Sequence, residues 1–128
     1  MSRNILVAIN SKYVHTNLAV RYLKRFVEEN SCENIEIYES NINNNLLKII
    51  RDIGEKEPEK LFFSTYIWNK EIIFKITEEL RKILPDTEII LGGPEVSYNP
   101  LEIMNQNPEI DGIIIGEGEK ILLNYLTK

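Results

Sequence analysis

Residues 5–9, Ile-Leu-Val-Ala-Ile, form a continuous apolar run rich in β-branched side chains. Successive side chains of a strand point to opposite faces of its sheet, so a strand made this way has no face to offer water. It suits a parallel sheet covered on both sides. Parallel neighbours are joined by crossovers, usually helical, and not by tight hairpins. The rest of the sequence supplies those crossovers.

Over residues 16–29 the apolar period changes to that of a helix. Leu18, Ala19, Tyr22, Leu23, Phe26 and Val27 share one stripe, with Arg21, Lys24, Arg25 and Glu28 opposite. Residues 34–39 set Ile35 and Ile37 against Glu36 and Tyr38, the alternation of a strand nearer a sheet edge. Leu46, Leu47, Ile50 and Ile53 mark a second helix, with Gly54 placed as its C-cap. Residues 60–65 read as a third strand. Asn69 is placed to cap the next helix, whose stripe is Ile72, Ile73, Ile76, Leu80 and Ile83. Residues 87–91 are a fourth strand. Asn99-Pro100-Leu101-Glu102 then opens a short helix over 100–107, with Pro at its first position. Residues 111–115 are a fifth strand, and a last helix is expected to bury Ile121, Leu122, Tyr125 and Leu126.

Five strands alternating with five helices, without internal repeat or linker-like composition, predict an α/β fold. The expected form is a doubly wound parallel sheet with helices on both faces, in the flavodoxin-like order 2-1-3-4-5. The 128 residues suffice for one such domain. A formal net charge of −5, with basic residues interleaved among acids, argues against a nucleic-acid binder. The one cysteine, Cys32, cannot close an internal disulfide or hold an iron–sulfur cluster, which points to a reducing, cytoplasmic setting. No apolar run approaches the ~20 residues a membrane span requires.

Ligands of such sheets sit outside the carboxyl ends of the strands. Four loops lie there. The first strand is followed by Asn10-Ser11-Lys12-Tyr13-Val14-His15-Thr16-Asn17, and the third by Ser64-Thr65-Tyr66-Ile67-Trp68-Asn69. Gly92-Gly93-Pro94-Glu95 follows the fourth, and Gly116-Glu117-Gly118-Glu119 the fifth. A phosphorylated receiver domain needs acids after the first and third strands and a lysine after the fifth. Asn10-Ser11, Ser64-Thr65 and Gly116 cannot supply them. A dinucleotide fingerprint fails as well, because the third glycine position after Gly116 and Gly118 is Ile121 and the strand is the last one. The Ser11 to Asn17 loop has hydroxyls for a flavin phosphate but no glycine. Ser64 either ends a strand or offers a hydroxyl to a buried heterocycle. His15 is the only histidine, a metal-ligand type standing alone. Gly92 and Gly93 either make a turn or let a flat ligand approach bare backbone. No triad or paired-acid spacing is readable, so the domain alone is not expected to be catalytic.

Taken together, Leu91-Gly92-Gly93-Pro94-Glu95, Asp111-Gly112-Ile113-Ile114-Ile115-Gly116-Glu117-Gly118-Glu119 and Ser64-Thr65-Tyr66 resemble the cobalamin-binding domain that precedes radical S-adenosylmethionine enzymes. Radical methyltransferases and the anaerobic magnesium-protoporphyrin monomethyl ester cyclase are of this kind. The resemblance spans residues 5–126. It implies a cobalamin whose nucleotide tail enters a slot beside the sheet and whose corrin lies over the carboxyl ends. It also implies contacts from Ser11, His15, Ser64, Thr65, Tyr66, Gly92, Gly93, Pro94, Glu95, Gly116, Glu117 and Gly118.

One departure bears on the metal. Related domains carry Asp-x-His-x-x-Gly after the first strand, with the histidine on cobalt. Here His15 keeps its place while Tyr13 and Leu18 replace the aspartate and glycine. The expectation is base-off cobalamin without His15 ligation. The resemblance further implies a following catalytic domain as partner, holding the [4Fe–4S] cluster and S-adenosylmethionine that these 128 residues lack the cysteines to bind. The chain would then be the N-terminal part of a longer enzyme, supporting methyl transfer or related radical chemistry. The competing expectation is a cofactor-free interaction module of the same fold, docking through Tyr66, Trp68 and Tyr98. A flavin mononucleotide binder is the third.

Overall fold

The computed structural model describes residues 3–11, 18–116 and 118–127. In chain order the elements are β1 (Asn4–Asn10), α1 (Leu18–Asn30), β2 (Glu36–Asn41), α2 (Leu46–Glu55), β3 (Lys60–Ser64), α3 (Lys70–Ile83), β4 (Glu88–Gly92), α4 (Pro100–Gln106), β5 (Gly112–Ile114) and α5 (Gly118–Leu126). The sheet is parallel throughout and ordered β2-β1-β3-β4-β5, the flavodoxin-like arrangement. All seven residues of β1 are buried, as its composition requires of a central strand.

Alternation along the strands divides the core into two layers. Ile5, Val7, Leu61, Phe63, Ile89 and Leu91 face α2, α3 and α4, where they meet Ile53, Ile76, Leu80 and Ile103. Leu6, Ala8, Phe62 and Ile90 face the other way, toward Val20 and Val27 of α1 and Leu122 and Leu126 of α5. Each such buried branched or aromatic side chain is worth roughly 1.5–3 kcal/mol over leaving it in water. Among the described residues, no helix is long and apolar enough to cross a membrane.

The opposite corner of the sheet is closed by Arg81. Its guanidinium donates to the carbonyls of Thr87 at 2.7 Å and Glu109 at 2.9 Å, and to Asp111 Oδ2 at 2.6 Å. The same Asp111 oxygen accepts the Ile89 N–H at 2.8 Å, so one ion pair ties α3, β4 and the approach to β5.

Several local expectations need correction. Gly54 lies inside α2, not at its end; Lys56 is the C-cap. A Cβ there would stand 2.8 Å from the terminal methyl of the exposed Ile83, which a rotation of that side chain can relieve. In α2 the buried residues are Ile49 and Ile53, while Leu47 is exposed. Ile121 is exposed because β5 has only three residues and forms the sheet edge. Leu18 (77% exposed) and Tyr22 (55%) of the α1 stripe are not core residues, and Val20 is buried in their place. The reason for that last difference is the site itself.

Candidate functional site

The register across the sheet explains where space is left open. Ala8 pairs with Ser64, Ser64 with Gly92, and Gly92 with Ile114. On the α1–α5 face this last row near the carboxyl edge therefore reads Ala, Ser, Gly and Ile. The row beneath it, two residues earlier on each strand, reads Leu6, Phe62, Ile90 and Gly112. Ser64 and Gly92, two small residues side by side, leave a gap that neither helix fills, while Ala8 next to them is fully buried and outside the lining. The result is a cavity of about 230 Å³ between the sheet, α1 and α5. Leu6, Phe62 and Leu122 supply its apolar lining, with Ala19, Val20 and Leu23 on the α1 side. The apolar stripe of α1 thus covers a cavity over part of its length, which is why Tyr22 borders open space.

Ser64 lines the cavity, and among the described residues its hydroxyl has no hydrogen-bond partner. Gly92 lines it too. A Cβ added to Gly92 would find nothing nearer than Ile114 Cβ at 3.8 Å, so a side chain there is tolerated by the fold but takes up cavity space. Gly93 is different. Its φ of +108° is hostile to other residues, and its Cβ would come within 2.4 Å of the Thr65 carbonyl oxygen. The Thr65 N–H in turn donates to the Gly92 carbonyl at 2.7 Å, so the loops after β3 and β4 are clasped together.

A second clasp joins β3 to β1, and sequence reasoning missed it. Asn69 occupies the N-cap position of α3 but makes no side-chain cap hydrogen bond. It is 1% exposed, and its amide bridges strands instead. Nδ2 donates to the carbonyls of Ile9 at 2.9 Å and Ser64 at 3.2 Å, while Oδ1 accepts the Tyr66 N–H at 2.8 Å. β1 and β3 send their chains to helices on opposite faces here, and Asn69 satisfies the backbone groups that the parting strands leave unpaired. Beyond it, the rings of Tyr66 and Trp68 stack with centroids 4.6 Å apart and planes 2° from parallel.

Of the residues singled out in the sequence, Ser64, Tyr66, Gly92, Gly93, Gly116 and Gly118 converge on the cavity. Thr65, Pro94 and Glu95 do not line it. Thr65 is buried in the loop clasp, and Glu95 pairs with Lys70 at 3.4 Å. Ser11 is half-buried outside the lining; His15 and Glu117 lie outside the described residues. Glu119, Leu6, Phe62 and the α1 residues were not expected in the lining. Only the strand register brings them together.

A slot with an apolar floor, one free hydroxyl and bare glycine backbone matches what a flat heterocyclic group needs. The B12 binding domain family model matches residues 4–126. The chain belongs to the B12-binding domain family. It is 32% identical over 66 residues to the cobalamin-dependent radical SAM methyltransferase TokK of Streptomyces tokunonensis, which covers 52% of this chain and 10% of that protein. It is 33% identical over 61 residues to the anaerobic magnesium-protoporphyrin IX monomethyl ester cyclase of Rubrivivax gelatinosus, covering 48% and 10% respectively. This B12-binding domain also superposes on OxsB, a cobalamin-dependent S-adenosylmethionine radical enzyme solved with aqua-cobalamin and S-adenosylmethionine bound. The TM-score is 0.76 at 16% identity, over 98% of this chain and 19% of OxsB. At that identity the likeness is one of fold. The matched stretches amount to about a tenth of the length of these curated relatives.

Proposed function

We propose that this domain binds cobalamin base-off, without ligation by His15, and presents it to a radical S-adenosylmethionine catalytic domain for methyl transfer or related radical chemistry. The observation that carries the reading is the Ser64–Gly92 pair at the ends of β3 and β4 and the cavity it leaves. At about 230 Å³ the cavity falls short of the ~300–1,000 Å³ of pockets that enclose a whole small ligand. It suits a planar tail group, not a macrocycle.

In this reading Ser64 and the backbone at Gly92 hold the nucleotide tail against Leu6, Phe62 and Leu122. The loops that contain Gly93 and Gly116 offer main-chain groups at the rim, where the corrin amides need partners. Bound cobalamin supplies the cobalt–carbon or redox chemistry. The domain's own residues bind and orient it, and they keep water from the tail. Replacement by Tyr13 and Leu18 of the residues that steady a cobalt-bound histidine supports the absence of a His15 ligand.

Titration of the purified domain with hydroxocobalamin tests this directly. The expected result is a shift in corrin absorption that saturates near one equivalent and is unchanged in a His15→Ala variant. Loss of binding in that variant would sink the His-off reading alone. A second reading, the cofactor-free interaction module, draws on the exposure of Ile67, Trp68 and Tyr98. A folded domain that leaves the corrin spectrum unshifted, also when joined to its catalytic domain, favours it.

A further inference from the structure

The polar inventory of the cavity is short. Leu6, Val20, Phe62, Ile114 and Leu122 line it and have hydrocarbon side chains. The polar side chains in the lining other than Ser64, namely Tyr22, Tyr66 and Glu119, all keep contact with solvent. Nearby amides are already engaged. Both ends of the Asn69 side chain are spent on Ile9, Ser64 and Tyr66, and Asn10 Nδ2 donates to Glu39 at 2.9 Å. The Gly92 carbonyl accepts the Thr65 N–H. Among the side chains of the described residues, what remains inside is one hydroxyl; the other polar groups are main-chain groups of the glycines at the rim.

We propose that this cavity selects among cobamides by the chemistry of the lower base, taking a benzimidazole in preference to a purine. The inference rests on the cavity being the seat of the nucleotide tail. A benzimidazole joined to its ribose and released from cobalt has one ring nitrogen left to satisfy, and the Ser64 hydroxyl can donate to it. Its carbocyclic half, methylated or not, has no polar atoms and matches the hydrocarbon floor. An adenine of similar outline adds an exocyclic amine and further ring nitrogens. With Ser64 committed, no other buried side chain of the described lining is placed to pair with them, and a buried donor or acceptor left unpaired forfeits its hydration. An apolar pocket rejects a near-isostere bearing extra polar groups only moderately, so the expected preference is about 10- to 100-fold.

The test compares three corrinoids by absorption titration of the same chain: hydroxocobalamin, its adenine-based counterpart, and cobinamide, which has neither base nor nucleotide. The expected order is hydroxocobalamin tightest, then the adenine form, then cobinamide. Equal affinity for the first two overturns the selection while leaving the tail seat intact. Cobinamide binding as tightly as hydroxocobalamin overturns the tail seat itself, and no binding by any of the three overturns both. Ile114→Asn places an amide in the lining and should narrow the preference several-fold. Leu23→Asn does the same from α1 without disturbing the sheet, should the first variant fail to fold. An unchanged ratio in a folded variant rules out lining polarity as the selector.

Discussion

The carbonyl oxygen of Thr65 stands where a side chain on Gly93 would begin, 2.4 Å from the position of a Cβ. The contact is backbone against backbone, so no rotamer change relieves it. Gly93→Ala therefore meets both this clash and the strain of a positive φ. It is expected to destabilise the fold by about 2–4 kcal/mol, read from urea unfolding. Gly92→Leu has neither handicap. It should leave the unfolding midpoint no lower than that of the native chain while cobalamin binding falls below detection. Two adjacent glycines thus separate into one the sheet needs and one the ligand needs, and equal effects on stability would refute that separation.

Asn69 is the next position at which a conservative change should tell. Alanine there strands the Ile9 and Ser64 carbonyls and the Tyr66 N–H in a buried setting, at a cost of roughly 2–4 kcal/mol. Amide exchange at Tyr66 should quicken well beyond that of β3, because the loop loses its tie to β1. A variant whose Tyr66 amide stays protected would show that Asn69 does not hold the loop.

Arg81→Lys keeps the charge and loses the fork. A lysine ammonium cannot reach Thr87, Glu109 and Asp111 together. The expected loss is about 2–3 kcal/mol of stability, with cobalamin affinity of the folded protein unchanged, since Arg81 lies outside the cavity lining.

The pH dependence of stability should bear the mark of Tyr38 and Asp52. The Tyr38 hydroxyl and Lys48 Nζ both donate to Asp52 Oδ2 at 2.8 Å. Burial first, and then the Asp52 carboxylate, push the Tyr38 pKa above the ordinary tyrosine range. Its contribution is therefore complete below the unfolded value near ~10 and is lost as pH rises toward the folded one. The bonds from Lys48 and then Tyr38 hold Asp52 below the usual carboxylate range. Its contribution is present above the unfolded value near ~3.9 and disappears as pH falls through the lowered one. Tyr38→Phe should flatten the alkaline limb of a stability–pH curve. Asp52→Asn should flatten the acid limb and only reduce the alkaline one, because burial still acts on Tyr38. Unchanged limbs in both variants would disprove the coupling.

The sheet was legible in the sequence because its signals are local and redundant. The run at 5–9 suits an interior strand, and alternation with right-handed crossovers gives a doubly wound sheet whose simplest five-stranded order is 2-1-3-4-5. Gly92, Gly93, Ser64 and the turn at Gly116 were legible for a related reason, since each interrupts an otherwise regular pattern. What was illegible depends on register. Ser64 and Gly92 belong to separate strands, and only the register sets them side by side. Leu18 and Tyr22 share the helical stripe of Val27, and periodicity cannot say that the stripe faces a core at one end and a cavity at the other. Asn69 was read as a helix cap because capping is what an asparagine at that place does when no strand ends compete for its amide.

The pair of small residues at the ends of β3 and β4 also has a meaning for anyone who would improve this protein. Each methylene added at Ser64 or Gly92 would lie among hydrocarbon neighbours and return roughly 0.8 kcal/mol. Selection for thermal endurance alone would reach for these two positions early. The chain it produced would melt later and hold nothing.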